Sequence, residues 1–261
     1  HFAPTPAAVA NVLSHGVRRD QVFCTGNTGV DALHLIRDKI AIRSMVIDSQ
    51  VRDFVRSAGE RNRELAILCV DRTEIVQDGI TSILSAIAHY AKKNKRVRWL
   101  YIYGSDVQVI EEIARIGLAD LSNILLVERL AYPDMVYALD AADMVLTDSG
   151  SLQEEAASLN KPVVVLRSKT ERMEGVLSGN AWVVGTSEQC VLDGIKCARE
   201  KNCDEKRYVH VREDGHSAEK IVAFIQVRYE QLQQRNLKHS VVDANAVVQS
   251  IKFENKRAES M

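Results

Sequence analysis

The sequence contains no long apolar run, and both its net charge and its aromatic content are low. None of its hydrophobic stretches reaches the roughly 20 residues that a membrane-spanning helix needs. Lys and Arg number 34 against 35 Asp and Glu, so the formal net charge is −1 and no global field attracts nucleic acid or an anionic membrane. Aromatic residues make up only 5% of the chain, which argues against a base-stacking surface. We therefore expect neither nucleic acid nor a membrane as a partner.

Cysteine pairs with metal-binding spacing are also missing. The five cysteines include no Cys-x-x-Cys pair, so the sequence predicts neither a zinc site nor a disulfide framework, and we expect no metal. Reduced thiols of this kind fit a cytosolic compartment best, so we expect a cytoplasmic protein. The chain begins with His1 rather than Met and its first residues are not typical of a signal peptide. We expect that a longer protein extends upstream of His1.

Strands and helices alternate along the chain, whose 261 residues allow one large domain or two small ones. Short apolar runs typical of buried parallel strands are followed by helical periodicity or by turns. This alternation predicts an α/β fold with a doubly wound parallel sheet. The predicted strands are Leu65–Val70, Val97–Tyr103, Asn123–Val127, Met144–Leu146, Pro162–Leu166 and Ala181–Val184.

The stretch from Asp143 to Arg172 carries most of the recognisable chemistry. Its first strand breaks at Thr147-Asp148-Ser149-Gly150-Ser151, a small polar turn that precedes a helical pattern. In an open parallel sheet, ligands bind beyond the carboxyl ends of the strands. The exposed N–H groups of a helix N-terminus stabilise a phosphate there. The turn therefore predicts a phosphate site, although one glycine is weak evidence.

A structural interpretation of the same residues stays open. Ser151-Leu152-Gln153-Glu154 fits a capping box, which starts a helix without binding any ligand. Glu155 is harder to explain in this way, because a second acid is not needed for the cap. It lies one helical turn from Ser151, near the mouth of the predicted site.

This stretch resembles the non-hydrolysing UDP-N-acetylglucosamine 2-epimerase family. The family pattern T-D-S-G-G-x-Q-E-E is matched by Thr147–Glu155, and its T-E-R by Thr170–Arg172. Ser151 and Asn160 depart from the pattern, since each stands where the family usually has glycine. The resemblance extends over nearly all of His1–Ile225, which corresponds to the C-terminal half of a family member.

The resemblance implies a GT-B type fold, in which two Rossmann-like domains hold the substrate between them. On this basis residues 1–28 are a remnant of the N-terminal domain and 29–62 are a helical linker. Residues 63–235 form the Rossmann-like nucleotide-binding domain, and 236–261 are a C-terminal extension.

The family interconverts UDP-N-acetylglucosamine and UDP-N-acetylmannosamine by eliminating UDP and re-adding it at the opposite face of C2. The resemblance thus implies UDP or a UDP-N-acetylhexosamine as ligand, no cofactor, and a homodimer as a further expectation. Ser149, Gly150 and Ser151 would donate to the diphosphate, and Glu155 would accept from ribose hydroxyls.

Three further residues belong to the implied nucleotide site. Arg172 would be a supporting cation at the cleft, and Arg72 would lie near the diphosphate or an effector. Met135 stands where the family has an aromatic residue that holds the uracil. Each has a structural alternative: the two arginines as surface salt-bridge partners, and Met135 as a core residue.

Two departures concern residues that the family uses. Asp71 stands where the family has a functional histidine, and an ionised carboxylate would repel a diphosphate; the alternative is that Asp71 is a helix N-cap. Gly104 replaces the histidine of the family's H-x-N-P motif. Asp71 and the absent N-terminal half together predict that the isolated chain does not epimerise. A GT-B glycosyltransferase domain and a non-catalytic nucleotide-sugar-binding protein remain the alternatives.

Overall fold

The computed structural model describes residues 1–59, 63–201 and 215–234. These residues divide into two compact units, one spanning Gly29–Gly215 and one made of His1–Thr28 together with the described residues from His216 onward. The resemblance treats residues 29–62 as a helical linker, and the described residues of this range belong to the larger unit. The extension at 236–261 lies outside the described residues.

The smaller unit contains two short parallel strands joined by a helix. Strand β1 (Phe2–Ala3) pairs with β2 (Phe23–Cys24), and α1 (Pro6–Ser14) connects them. The helix begins at Thr5, whose side chain accepts the N–H of Ala8 at 3.1 Å. A second helix over 217–234 contributes Phe224, whose ring contacts those of Phe2 and Phe23.

The larger unit is built on a six-stranded parallel sheet. Its strands are β3 (Glu64–Val70), β4 (Val97–Tyr103), β5 (Ile124–Glu128), β6 (Met144–Thr147), β7 (Val163–Val165) and β8 (Ala181–Val183). The spatial order is β5-β4-β3-β6-β7-β8, and every neighbouring pair is parallel. The predicted strands are confirmed with boundary shifts of one residue or none.

Helices cover both faces of this sheet. They are α2 (Thr28–Ala41), α3 (Ser49–Gly59), α4 (Thr73–Asp78), α5 (Ile80–Lys93), α6 (Val107–Ile116), α7 (Tyr132–Ala141), α8 (Gly150–Ser158), α9 (Met173–Leu177) and α10 (Glu188–Lys201). Among the described residues, none of the helices is long and apolar enough to cross a membrane.

Two hydrophobic clusters lie on opposite sides of the sheet because alternate strand residues point to opposite faces. In β3, Leu68 joins the cluster that includes Ile83 of α5 and Ile195 of α10. Ile67 instead joins the cluster that includes Phe54 of α3 and Leu139 of α7. This arrangement confirms the predicted doubly wound, Rossmann-like parallel sheet, as found in proteins of the GT-B type fold.

Candidate functional site

The strand order reverses direction between β3 and β6. From β3 the chain first builds outward through β4 and β5, then returns to start β6 on the other edge of β3. The helices that follow β3 and β6 therefore pack on opposite faces of the sheet. In such folds the crevice between them, at the carboxyl edge of the sheet, is the usual ligand position. Asp71 and Arg72 follow β3, and Asp148 to Ser151 follow β6. The topology thus brings these two predicted parts of the site together.

Asp148 joins the two turns. Its side chain is buried, and its Oδ2 atom accepts the backbone N–H groups of Asp71 at 3.2 Å and Arg72 at 2.9 Å. The Arg72 Nε donates in return to the Asp148 carbonyl oxygen at 3.1 Å. Burial raises the pKa of the Asp148 carboxyl, and the two N–H bonds partly oppose that rise. The sequence pattern places Asp148 only in the turn and does not predict this connection.

Ser149, not Ser151, caps helix α8. The Ser149 hydroxyl accepts the N–H of Leu152 at 3.5 Å, and the helix begins at Gly150. The predicted capping box at Ser151 is therefore wrong: Ser151 lies in the first helical turn and is exposed. The two serine hydroxyl oxygens lie 3.1 Å apart, so both are at the same end of the helix.

Gly150 is covered by the segment that follows β7. A Cβ at this position would lie 3.2 Å from a Glu171 carboxylate oxygen and 3.6 Å from the Arg172 guanidinium. Arg172 therefore lies beside the turn. It also forms an ion pair with Glu154 and a longer one with Glu171 at 3.9 Å, so the salt-bridge interpretation of Arg172 holds as well.

Gln153 fixes the Thr170–Arg172 segment to α8. Its side chain is buried, and its Oε1 atom accepts the Thr170 hydroxyl at 2.8 Å. Thr170 in turn accepts the backbone N–H of Arg172 at 3.1 Å. These contacts give the paired Q-E-E and T-E-R motifs a physical basis, because the two segments bind each other.

Glu155 has a different partner from its neighbours. Tyr132, the first residue of α7, donates its hydroxyl to Glu155 Oε1 at 3.1 Å. Burial raises the pKa of Glu155, the Tyr132 hydrogen bond opposes that rise, and the nearby Glu154 charge adds to it. Three consecutive side chains of α8 thus contact three different residues: Thr170, Arg172 and Tyr132. The sequence pattern singles out Glu155, whereas no motif identifies Tyr132.

The turn after β3 differs from the prediction. Arg72, not Asp71, is the N-cap of α4, and it makes no side-chain capping bond; the helix-cap interpretation of Asp71 is therefore wrong. The exposed Asp71 side chain instead lies against Gly104, the residue that follows β4. Arg72 additionally pairs with Glu74 at 3.5 Å.

Met135 packs against the hydrophobic cluster that contains Leu139 and Val145. It is partly buried, so the interpretation as a core residue describes its surroundings in this structure. Among the described residues, no group of three His, Cys, Asp or Glu side chains is arranged to hold a metal ion.

Known proteins of one family are similar to this chain. The family model for UDP-N-acetylglucosamine 2-epimerase matches residues 1–226. A relative from Ralstonia solanacearum, named a probable UDP-N-acetylglucosamine 2-epimerase, is 37% identical over 193 residues, or 74% of this chain and 51% of the relative.

Solved structures are similar over most of the chain. The UDP-N-acetylglucosamine 2-epimerase of Neisseria meningitidis, bound to UDP-N-acetylglucosamine, has a TM-score of 0.75 at 29% identity, covering 87% of this chain and 61% of its own. The complex of Staphylococcus aureus MnaA with UDP has a TM-score of 0.73 at 31% identity, covering 88% and 59%. The chain spans about half the length of the curated relatives that it matches.

Proposed function

The chain belongs to the UDP-N-acetylglucosamine 2-epimerase family, and we propose that it is the UDP-binding part of such an enzyme. The whole enzyme would interconvert UDP-N-acetylglucosamine and UDP-N-acetylmannosamine by eliminating UDP and re-adding it. The observation that carries the proposal is the position of Glu155, one helical turn beyond the turn at Ser149–Ser151 and fixed by Tyr132.

The diphosphate would bind at the start of α8. The first N–H groups of a helix have no partners within it and point at a ligand, and the helix dipole favours its negative charge. Hydroxyl groups of Ser149 and Ser151 lie at the same helix end and add donors. Arg172, whose side chain is 38% exposed beside Gly150, supplies positive charge, and Arg72 adds a second cation across the crevice.

The ribose follows the diphosphate along the nucleotide and would reach Glu155. An ionised carboxylate has two oxygens, and a ribose presents two adjacent hydroxyls, so the pair fits a bidentate contact. With Tyr132 donating to Oε1, the Oε2 atom and the remaining lone pairs would accept from the sugar. Met135, on the same helix as Tyr132, would contact the base at its partly exposed surface.

Calorimetric titration with UDP and with 2′-deoxy-UDP tests this assignment. We expect Glu155→Ala to weaken UDP binding roughly ten- to a hundredfold, because hydrogen bonds to a charged group contribute about 1.5–3 kcal/mol. Wild type should prefer UDP over the deoxy nucleotide, and the variant should barely distinguish them. Glu154→Ala is the matched control: it removes one of the two carboxylate partners of Arg172 and should keep the ribose preference. A variant at Glu155 that discriminates as strongly as wild type contradicts the assignment.

A non-catalytic nucleotide-sugar-binding protein is the second candidate, favoured by Asp71 at the position of the family histidine. Family membership favours the epimerase over a glycosyltransferase of the same fold. We expect the 261-residue chain to form no UDP-N-acetylmannosamine from UDP-N-acetylglucosamine. Product formation that rises in proportion to chain concentration would contradict this expectation. A homodimer and a cytoplasmic location are further proposals, and light scattering tests the first.

A further inference from the structure

Asp71 and Gly104 lie side by side at the carboxyl ends of neighbouring strands. Val70 and Tyr103 end β3 and β4 as register partners, so the next residue of each strand follows beside the other. The Asp71 carboxylate rests against Gly104, and a Cβ built on Gly104 would overlap its Oδ1 atom. The two positions therefore share one volume, which the Asp71 side chain occupies.

The Asp71 carboxylate lies on the side of β3 that is away from the turn at Ser149–Ser151. Strands β4 and β6 pair with opposite edges of β3, so Gly104 and that turn flank Asp71 from opposite sides. The Asp71 backbone N–H donates toward the β6 side, to Asp148, while its carboxylate lies on the β4 side. Neighbouring strands are about 4.8 Å apart, which sets the scale of the separation between this carboxylate and a bound diphosphate.

We propose that Gly104 is a positioning residue for UDP binding, because its missing Cβ lets the Asp71 carboxylate stay turned away from the diphosphate. This inference rests on the proposed binding of UDP to the turn at Ser149–Ser151. A carboxylate and a diphosphate repel each other, and the repulsion strengthens as the distance and the local dielectric constant fall. Asp71 and Gly104, which both stand where the family has histidine, are in this view a single coupled feature.

Gly104→Ala is a selective test of this inference. Gly104 lies outside the set of glycines with left-handed φ, so alanine is compatible with its backbone. Among the described residues other than its chain neighbours, the atoms within 4 Å of the added Cβ all belong to the Asp71 carboxyl group. Gly104→Ala should therefore act by rotating the Asp71 side chain toward the crevice.

A double-mutant cycle measured by calorimetric titration with UDP tests the proposal. The four proteins are the full 261-residue wild type, Gly104→Ala, Asp71→Asn and the double variant. We expect Gly104→Ala to weaken UDP binding about three- to tenfold through like-charge repulsion. In the Asp71→Asn background, whose side chain has the same shape without the charge, the same substitution should change the affinity by less than about twofold.

Two controls separate charge from loss of structure. Gly59→Ala, at an exposed position where an added Cβ meets no atom of the described residues within 4 Å, should leave UDP binding unchanged. The loss caused by Gly104→Ala should shrink as salt is raised, because ions screen the repulsion.

The outcomes are distinguishable. If Gly104→Ala lowers the UDP affinity equally in both backgrounds, or does not lower it at all, the inference is overturned. The proposed function then stands, because the chain still binds UDP. A wild-type chain that binds no UDP overturns the proposed function and this inference together.

Discussion

Two turns meet at the centre of the sheet, and they are held in different ways. The turn after β6 starts a nine-residue helix with a serine cap, and three successive helix residues have side-chain partners. The turn after β3 starts a six-residue helix without a side-chain cap, and its backbone is fixed from outside, by Asp148. A turn that a neighbour holds by its backbone can change its own side chains at low structural cost. The turn after β3 therefore tolerates a change of side chain, such as one at Asp71, more readily than the turn after β6.

The largest expected effect comes from breaking the connection between the two turns. Asp148→Ala leaves the partly buried N–H groups of Asp71 and Arg72 without their acceptor, which should lower the free energy of unfolding by about 2–4 kcal/mol. Asp143→Ala is the matched control, because Asp143 also accepts a backbone N–H group of the β3 region. Its donor is Leu65 at 2.7 Å, near the amino-terminal end of the strand. Denaturant unfolding measures both losses, and UDP titration should show that only the first variant loses the ligand. An unaltered midpoint for Asp148→Ala would contradict the comparison.

The second effect concerns only the turn after β6 and its helix α8. Gln153→Ala removes the acceptor of Thr170 and should cost about 1–3 kcal/mol of unfolding free energy. Thr170→Val removes the other half of the bond, and the double variant should reveal a coupling of about 1 kcal/mol. Strictly additive losses in denaturant unfolding would show that the bond between Q-E-E and T-E-R contributes nothing.

A third prediction compares the two serines of the turn. Ser149→Ala removes the observed cap of α8 and should cost about 1 kcal/mol. Ser151→Ala, at the position that the sequence pattern favoured for capping, should change the unfolding free energy by less than about 0.5 kcal/mol. Thermal or denaturant unfolding of the pair decides, and a larger loss for Ser151→Ala would restore the capping box.

The sequence was sufficient to predict the sheet, but not the side-chain contacts within the site. Apolar runs separated by turns define parallel strands well, and the topology then brings the turns after β3 and β6 together. Which serine caps α8 depends on where its first turn begins, a boundary that propensity does not fix. The contacts of Asp148, Gln153 and Tyr132 join residues that are between 17 and 77 positions apart in the chain. Periodicity describes neighbours within one element, so it carries no information on such pairs.

The smallest expected effect is at Tyr132, which connects α8, the helix after β6, to α7. Its hydroxyl bond to Glu155 opposes the rise in pKa that burial causes in that carboxyl. Tyr132→Phe removes the bond, so the pKa of Glu155 should rise further above its ordinary value. If ionised Glu155 binds the ribose, affinity is present above this pKa and is lost as the pH falls through it. The variant should therefore lose UDP at a higher pH than wild type.

Calorimetric titration with UDP from about pH 7.5 down to about pH 5 measures this shift. At the upper end Tyr132→Phe should weaken binding only about threefold, because one neutral hydroxyl contributes about 1 kcal/mol or less. The phosphate of UDP also titrates near pH 6, and Glu155→Gln provides the reference in which only that titration remains. Tyr137→Phe, on the same helix, should follow the wild-type profile. A Tyr132→Phe profile that is weaker at every pH but not displaced would mean that the tyrosine stabilises α7 without acting through Glu155.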